Sequence, residues 1–432
     1  MDALSFTARN VLLGATLLGV SGGVLGCFAL LRRQSLLGDA LAHAALPGVC
    51  LGFLLTGSKS PLPLFLGALV AGVAGSLFIL AAVRWSRVKE DSAIGIVLSV
   101  FFGVGIVLLT WVQRSPGGNQ SGLDQFLFGQ AAALVTEDVI LMAVLSALVL
   151  ATVAAFYKEF KLLAFDPEYA ASLGLPIRRI EILLTLLLVT VVVVGLQTVG
   201  VVLIVATLVT PAAAARQWTE RLGAMVLISA TIGAFAGASG ALVSASAPRL
   251  PTGPVIVLVA SAVLVASLLF APERGLLWAA LAERRVARRI RHENLLKDLY
   301  RAGESRGEPG AFIPVPELMG MRGQSAPRLA ASARPLVDKG LAERRGDALR
   351  LTGDGLVTAA GVVRKHRLWE VYLTRRLELP SDHVHRDAEA MEHALDDVAV
   401  AELDRLLGHP AVDPHGQPIP RPEALAVEGA RR

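Results

Sequence analysis

Long apolar runs dominate the first 271 positions of the chain. A hydrocarbon core about 30 Å thick takes roughly 20 apolar residues per helix. Runs of that order lie near 11–31, 37–56, 62–83, 93–113, 137–157, 181–197, 199–215, 223–245 and 254–271. The pair inside 181–215 is nearly continuous and broken around Gly195 and Gly200, so eight or nine crossings both fit. Small residues recur within the runs, at Ser21-Gly22-Gly23, Gly67 to Gly75 and Gly233 to Gly240, and such residues let membrane helices pack closely. The expectation is an all-α polytopic membrane bundle of 8–9 transmembrane helices.

Past residue 290 the pattern becomes that of a soluble domain. It predicts a helix over Asn294 to Ala302, a Gly/Pro-rich loop at Gly303–Pro314, then Val315-Pro316-Glu317-Leu318 and a turn around Gly320–Gly323. A second helix from Ala326 to Lys339 and two short strands, Leu341–Arg344 and Ala348–Leu351, follow. Helix, turn, helix and hairpin in that order suggest a winged helix-turn-helix. The expected division is a transmembrane domain 1–272, a basic linker helix 273–292, a winged-helix-like domain 293–365, a helical region 366–410 and a loosely ordered tail 411–432.

Charge sharpens this division. Residues 1–271 hold 27 Asp, Glu, Lys and Arg, whereas residues 272–432 hold 50. Lys and Arg cluster at Arg32-Arg33, Arg84 to Lys89, Lys158 to Arg179, Arg216 to Arg221 and from Arg274 onward. Because cytoplasmic loops of membrane proteins carry the basic excess, these clusters and the C-terminal domain are expected in the cytosol of a multi-pass cell-membrane protein. The net charge of +5 is concentrated at Arg274 and Glu283 to Arg291, beside the last apolar run, which points to the membrane surface before nucleic acid. Trp85, Trp111, Trp218 and Trp278 fall at run ends, where an aromatic belt would lie. Cys27 and Cys50 both lie inside apolar runs, so neither a disulfide framework nor a thiolate zinc cage is suggested. The first run lacks a preceding basic region and a following small-residue cleavage site, and reads as a retained span.

Polar groups inside such runs are costly and therefore informative. In Leu36-Leu37-Gly38-Asp39-Ala40-Leu41-Ala42-His43, Asp39 and His43 are four apart and share a helical face. His43 is the only histidine before His292. A carboxylate and an imidazole on one face suit a first-row divalent ion. The bland alternative is a hydrogen bond that merely joins two helices.

The segment Leu31 to Gly48 resembles the hallmark segment of the metal-type ABC permease family, the membrane subunits of zinc, manganese and iron importers. Lys89 to Ile96, more loosely Gln125-Phe126-Leu127-Phe128-Gly129, Gln197 to Ala206, and Thr210-Pro211-Ala212-Ala213 are further matches, together covering about residues 5–272. The resemblance implies that Asp39 and His43 line the path and bind the ion weakly enough to release it. It also implies a permease homodimer in membrane lipid, an extracellular metal-capturing binding protein and a separate ABC ATPase subunit. No Gly-x-x-x-x-Gly-Lys-Ser/Thr loop occurs in the chain, so ATP hydrolysis is expected on that other subunit. Asp and His donors serve manganese, zinc and iron alike. The ion is substrate, and no catalytic cofactor is expected.

Asp166-Pro167 and Gly174 bracket a short helix in a basic loop, as capping chemistry predicts. The segment resembles the coupling helix of ABC permeases, with Glu168 and Gly174 matching a Glu-Ala-Ala-x-x-x-Gly pattern from which Tyr169 departs. An ordinary structured loop is the alternative.

The soluble domain resembles a second family, the metal-responsive regulators of the diphtheria-toxin-repressor type, over about residues 291–410. His366-Arg367-Leu368-Trp369-Glu370 and Val384 to His393 match its two metal-binding helices. The spacings put His366 with Glu370, and His385 with Glu389, on shared faces. The resemblance implies one site from His366, Glu370 and His385 and a neighbouring one from Glu389, Glu392 and His393, with a possible regulatory role for a divalent ion. Where the family has a Met, Asp or Glu ligand on its first helix, this chain has Asn294 and Lys297.

The leading function is a permease subunit with a metal-sensing or oligomerising tail, and DNA binding is not expected of it. The competing reading is a membrane-tethered metal-responsive transcription regulator, for which so many Gly-rich spans exceed what anchoring needs. An intramembrane enzyme is disfavoured, since the spans hold one histidine, no His-Glu-x-x-His and no Ser/Lys dyad with a base nearby.

Overall fold

The computed structural model describes residues 6–57, 60–114, 134–246, 250–380 and 384–421. It divides into two compact units, Met1–Ala279 and Ala280–Arg432.

Within the first unit every described element is a helix. They are α1 (Phe6–Leu31), α2 (Ser35–Thr56), α3 (Pro61–Trp85), α4 (Glu90–Arg114), α5 (Thr136–Ala155), α6 (Tyr157–Phe165), α7 (Pro167–Ser172), α8 (Ile177–Thr198), α9 (Val201–Arg216), α10 (Leu222–Ser246) and α11 (Thr252–Phe270). Among the described residues, eight of these are long and apolar enough to cross a membrane. The break expected near Gly200 is present: α8 ends at Thr198, Gly200 adopts φ +87°, and the 16-residue α9 follows as a shorter apolar helix.

Large apolar side chains point outward, as at Leu55, Val70, Val107, Leu227 and Leu258. That would be unstable in water but suits hydrocarbon. Others of these large side chains, such as Phe28, Leu41 and Leu184, fill the interior, and at particular crossings small residues let the helix backbones touch. A Cβ on Gly19 would lie 2.0 Å from the carbonyl oxygen of Gly233, so α1 and α10 meet backbone to backbone. The α2–α3 crossing repeats this, since a Cβ on Gly48 would lie 2.2 Å from the Gly67 carbonyl oxygen. Close approach of this kind gains dispersion contact where no hydrophobic force acts between helices.

In the second unit α12 (Leu276–Ser305), which begins in the first unit, is followed by β1 (Ile313–Pro314), α13 (Val315–Arg322), α14 (Ala326–Asp338), β2 (Ala342–Arg345), β3 (Ala348–Leu351), α15 (Gly353–Arg376), α16 (Val384–Met391) and α17 (Asp397–Leu406). The expected hairpin forms, with Ala342 opposite Leu351, and a third strand joins it through Ile313 opposite Leu349, giving the antiparallel order β1-β3-β2. Two residues of strand between a loop and a helix leave no periodicity to read. Leu295, Leu299, Ile313, Leu318, Leu329, Leu336, Leu349 and Val363 form the core of this winged-helix arrangement. A second cluster joins Leu368, Val371, Leu403 and Ile419.

Residues 411–421, expected to be loose, are packed. Val412 bridges Pro418, Ile419 is buried, and buried Arg367 donates to the Pro418 carbonyl at 2.5 Å while pairing with Glu304 and Asp413. The physical reason is charge: an arginine that enters the core needs acceptors from several segments, and this stretch supplies two.

Gly19→Val should lower the thermal stability of the detergent-solubilised chain by about 2–3 kcal/mol, the usual penalty of overpacking a tight contact. Gly103→Ala, where an added Cβ meets nothing within 4 Å, should leave it unchanged or raise it by up to ~1 kcal/mol through helix propensity. Equal melting of the two variants would contradict the close approach.

Candidate functional site

On α2 the imidazole Nε2 of His43 lies 3.5 Å from Asp39 Oδ1, with side-chain exposures of 14% and 32%. That distance is too long for a firm hydrogen bond, so the two donors are adjacent without being locked together. The other ring nitrogen, Nδ1 of His43, is buried and has no hydrogen-bond partner among the described residues. The ring stands edge-on to Phe102 of α4 at 4.7 Å between centroids. Pro47 lies inside α2 and has no N–H to give to the His43 carbonyl four residues earlier, so the helix is locally loosened at this turn. Phe102 and Pro47 were not singled out by sequence reasoning. The spacing of four between His43 and Pro47 was the available signal for the second. The Gln125–Gly129 match lies outside the described residues, as do the side chains of Gln197 and Val202 within the Gln197–Ala206 match.

A second feature sits where α6, α7 and α8 meet. Asp166 caps α7, its Oδ1 accepting the Tyr169 N–H at 2.8 Å, and Pro167 takes the first helical position. Gly174, at φ +79°, turns the chain away after the helix. In that left-handed conformation any other side chain is strained. Glu168 is exposed and Ala170 buried. The neighbouring α6 is anchored through Phe160, whose ring meets Phe28 of α1 at 5.8 Å. Arg32 pairs with Glu181, and Gln34 donates to Glu90 at 2.7 Å, tying the ends of α1, α2, α4 and α8 together.

In the second unit α12, α15 and the α16 region converge. His366, on α15, has Nε2 3.1 Å from Glu370 Oε1 and Nδ1 2.5 Å from Glu392 Oε2. All three are buried. Burial opposes a charge on His366, but the hydrogen bonds to Glu370 and Glu392 outweigh it and raise its pKa. Burial likewise works against an ionised Glu392, yet the hydrogen bond from His366 and the Lys297 ammonium hold its carboxyl below the ordinary range. Lys297 Nζ lies 2.5 Å from Glu392 Oε1 and 3.7 Å from Glu389 Oε1. Arg322 Nη1 donates to Glu389 at 2.8 Å while its Nε donates to Asp298 at 2.5 Å. His393 Nδ1 lies 2.6 Å from Glu293 Oε2, and its Nε2 is 3.4 Å from Glu392 Oε1. His385 belongs to α16, but its side chain lies outside the described residues.

The residues assigned to two neighbouring sites are therefore differently placed. His366 and Glu370 face one another on one turn, with Glu392 orienting the imidazole from behind, an outer-sphere arrangement that steers a histidine toward a metal. That pair fits an ion at Nε2 once the ring is neutral. Glu389 and Glu392 already contact cations, and His393 turns toward Glu293. Among the described residues no group of three or more His, Cys, Asp or Glu side chains is arranged to hold a metal ion. Sequence reasoning noted Lys297 only as a departure and missed Glu293 and Arg322. The spacing of four from Glu293 to Lys297 on the buried side of α12 was a legible signal for two of them.

Comparison with known proteins follows this division. Residues 5–271 match the family described as "ABC 3 transport family". Residues 352–421 match "Iron dependent repressor, metal binding and dimerisation domain". The manganese transport system membrane protein MntC of Bacillus subtilis is 46% identical over 371 residues, 85% of this chain and 84% of the relative. The zinc transport system membrane protein TroC of Treponema pallidum is 46% identical over 282 residues, 65% of this chain and 95% of the relative. Among solved structures, PsaBC from Streptococcus pneumoniae in complex with Fab superposes with a TM-score of 0.57 at 34% identity, covering 62% of this chain and 94% of that one.

Glu392→Gln should destabilise the second unit by about 3 kcal/mol, because it leaves the buried Lys297 ammonium without its close counter-charge. Glu402→Gln, which removes only a surface partner of Arg405, should change it by under ~1 kcal/mol. Hydrogen exchange of the α12 and α15 amides measures both, and equal protection in the two variants would contradict the assigned pairing.

Proposed function

Since the chain belongs to the ABC 3 transport family, which its residues 5–271 match, we propose that it is the membrane permease of an ATP-driven importer whose substrate is a divalent metal ion. The observation that carries this is the Asp39–His43 pair, adjacent at 3.5 Å on an otherwise apolar helix. The names of the relatives, manganese for one and zinc for the other, favour these ions, and carboxylate plus imidazole donors accept both. The reading of the bundle as a mere anchor for a transcription regulator gives way, because the matched residues are the bundle itself.

Two donors are fewer than a first-row ion fills. Incomplete coordination suits a path residue, since an ion held by a full cage would not leave. A second copy of the chain presenting its own Asp39 and His43 would double the set without closing it. An extracellular binding protein delivers the ion. The chain has no phosphate loop, so the energy comes from an ATPase subunit, which α7 engages from the cytosolic side. A helix of six residues has little stability of its own. Its cap, the turn at Gly174 and the anchored α6 beside it make it stiff enough to transmit a push. The C-terminal unit lies in the cytosol, where His366 and Glu370 sample the imported ion and adjust transport.

In proteoliposomes containing the chain and its ATPase, Asp39→Ala and His43→Ala should each reduce manganese and zinc uptake at least tenfold, while the protein remains folded and bound to the ATPase. Near-normal uptake by both would return the pair to a purely structural role. Glu168→Ala and Gly174→Val should weaken ATPase co-purification or leave hydrolysis running without uptake. Unchanged assembly and coupling would remove α7 from the transmission path.

A further inference from the structure

The family match of residues 352–421 implies bound metal, and the resemblance places Glu389, Glu392 and His393 around a second ion with a ligand from the first helix. The side chains present do not fit that ion. At the first-helix position stands Lys297, 1% exposed on the same helix as buried Leu295, Leu296 and Leu299. Lysine is almost never buried to that degree without an anionic partner, and here it has two, Glu392 at 2.5 Å and Glu389 at 3.7 Å. A metal ion bound to these carboxylates would sit roughly 2.0–2.2 Å from their oxygens. It would then press a divalent charge directly against the ammonium. Arg322 adds a second cation on Glu389, and His393 Nδ1 is turned to Glu293.

We infer that the Lys297 ammonium takes the place of a divalent ion between Glu389 and Glu392, so that this half of the C-terminal unit is assembled by a built-in cation and does not respond to metal. The consequence reaches His366. Its orienting carboxylate, Glu392, is held ionised and in place by Lys297 at all metal levels, so the imidazole is aimed at Glu370 before any ion arrives. Metal response in this unit is thereby confined to the His366–Glu370 position. The inference does not depend on the transport reading of Asp39 and His43.

The test is manganese stoichiometry of the full chain in detergent, by equilibrium dialysis with Mn²⁺, in an Asp39→Ala/His43→Ala background that removes the bundle's contribution. Glu389→Gln should leave the number of ions per chain unchanged. Lys297→Glu, which replaces the cation with a ligand, should add one ion per chain. Lys297→Met is the parallel variant should the glutamate version misfold, and it too should add an ion, bound more weakly. Loss of an ion on Glu389→Gln while Lys297 is intact would overturn the inference. So would a folded Lys297→Glu or Lys297→Met chain that gains none.

Discussion

Hydrocarbon offers a peptide group no hydrogen-bond partner, and the architecture of residues 6–270 depends on that more than on any contact between side chains. Each backbone donor must find its acceptor within its own segment, which leaves the helix as the available element for a single chain of this composition. Many hydroxyls inside the bundle follow the same rule, although Ser229 instead donates across to the Gly23 carbonyl at 2.7 Å. Thr110 donates to the Ile106 carbonyl, Thr190 to Leu186 and Ser267 to Val263, each one turn back on its own helix. Once polar atoms have been absorbed in this way, what remains is informative. His43 Nδ1 finds no such partner among the described residues, and its Nε2 stands at 3.5 Å from Asp39. An imidazole in that condition is costly as mere packing, which is the ground on which a ligand role is proposed for it.

The second unit solves a different problem. Water is available at its surface, so charges need not be excluded, yet several are drawn inside as connected pairs. Lys297, Glu392, His366 and Glu370 form a chain of contacts linking α12, the end of α16 and α15. Arg367 joins Glu304, Asp413 and the Pro418 carbonyl. Such networks contribute little net stability over well-packed apolar residues, but breaking one member is expensive. They fix which segments lie together, which is why the stretch 411–421 is held although its composition suggests a loose end.

Between these two regimes lie α6 and α7, where the apolar bundle gives way to polar loop. α6 buries Phe160 and Leu163 while α7 keeps Glu168 and Tyr169 exposed. Rigidity on one side and accessibility on the other are what the force relay proposed for α7 would require. Here it comes from a capping aspartate, a proline at the first helical turn and a glycine in a left-handed conformation.

How much of this was legible in the sequence follows from the range over which each interaction acts. The positions of the apolar runs, the short capped helix at Asp166–Gly174, the hairpin and the shared helical face of Asp39 and His43 are governed by period, length and spacing within a few residues, so the order of amino acids alone determined them. The break around Gly200 left the number of crossings open. The close meeting of Gly19 with Gly233 and of Phe102 with His43 joins residues far apart in the chain, and only the folded bundle decided them. The same holds for the cluster in the second unit. Its members at 366 and 370 share one helical turn and could be read together. That Lys297 would fill the space between Glu389 and Glu392, and that Glu293 would claim His393, depended on how α12 packs against α15 and α16. A buried charge is satisfied by whichever opposite charge tertiary packing brings within about 3 Å, and that choice is not written in local spacing.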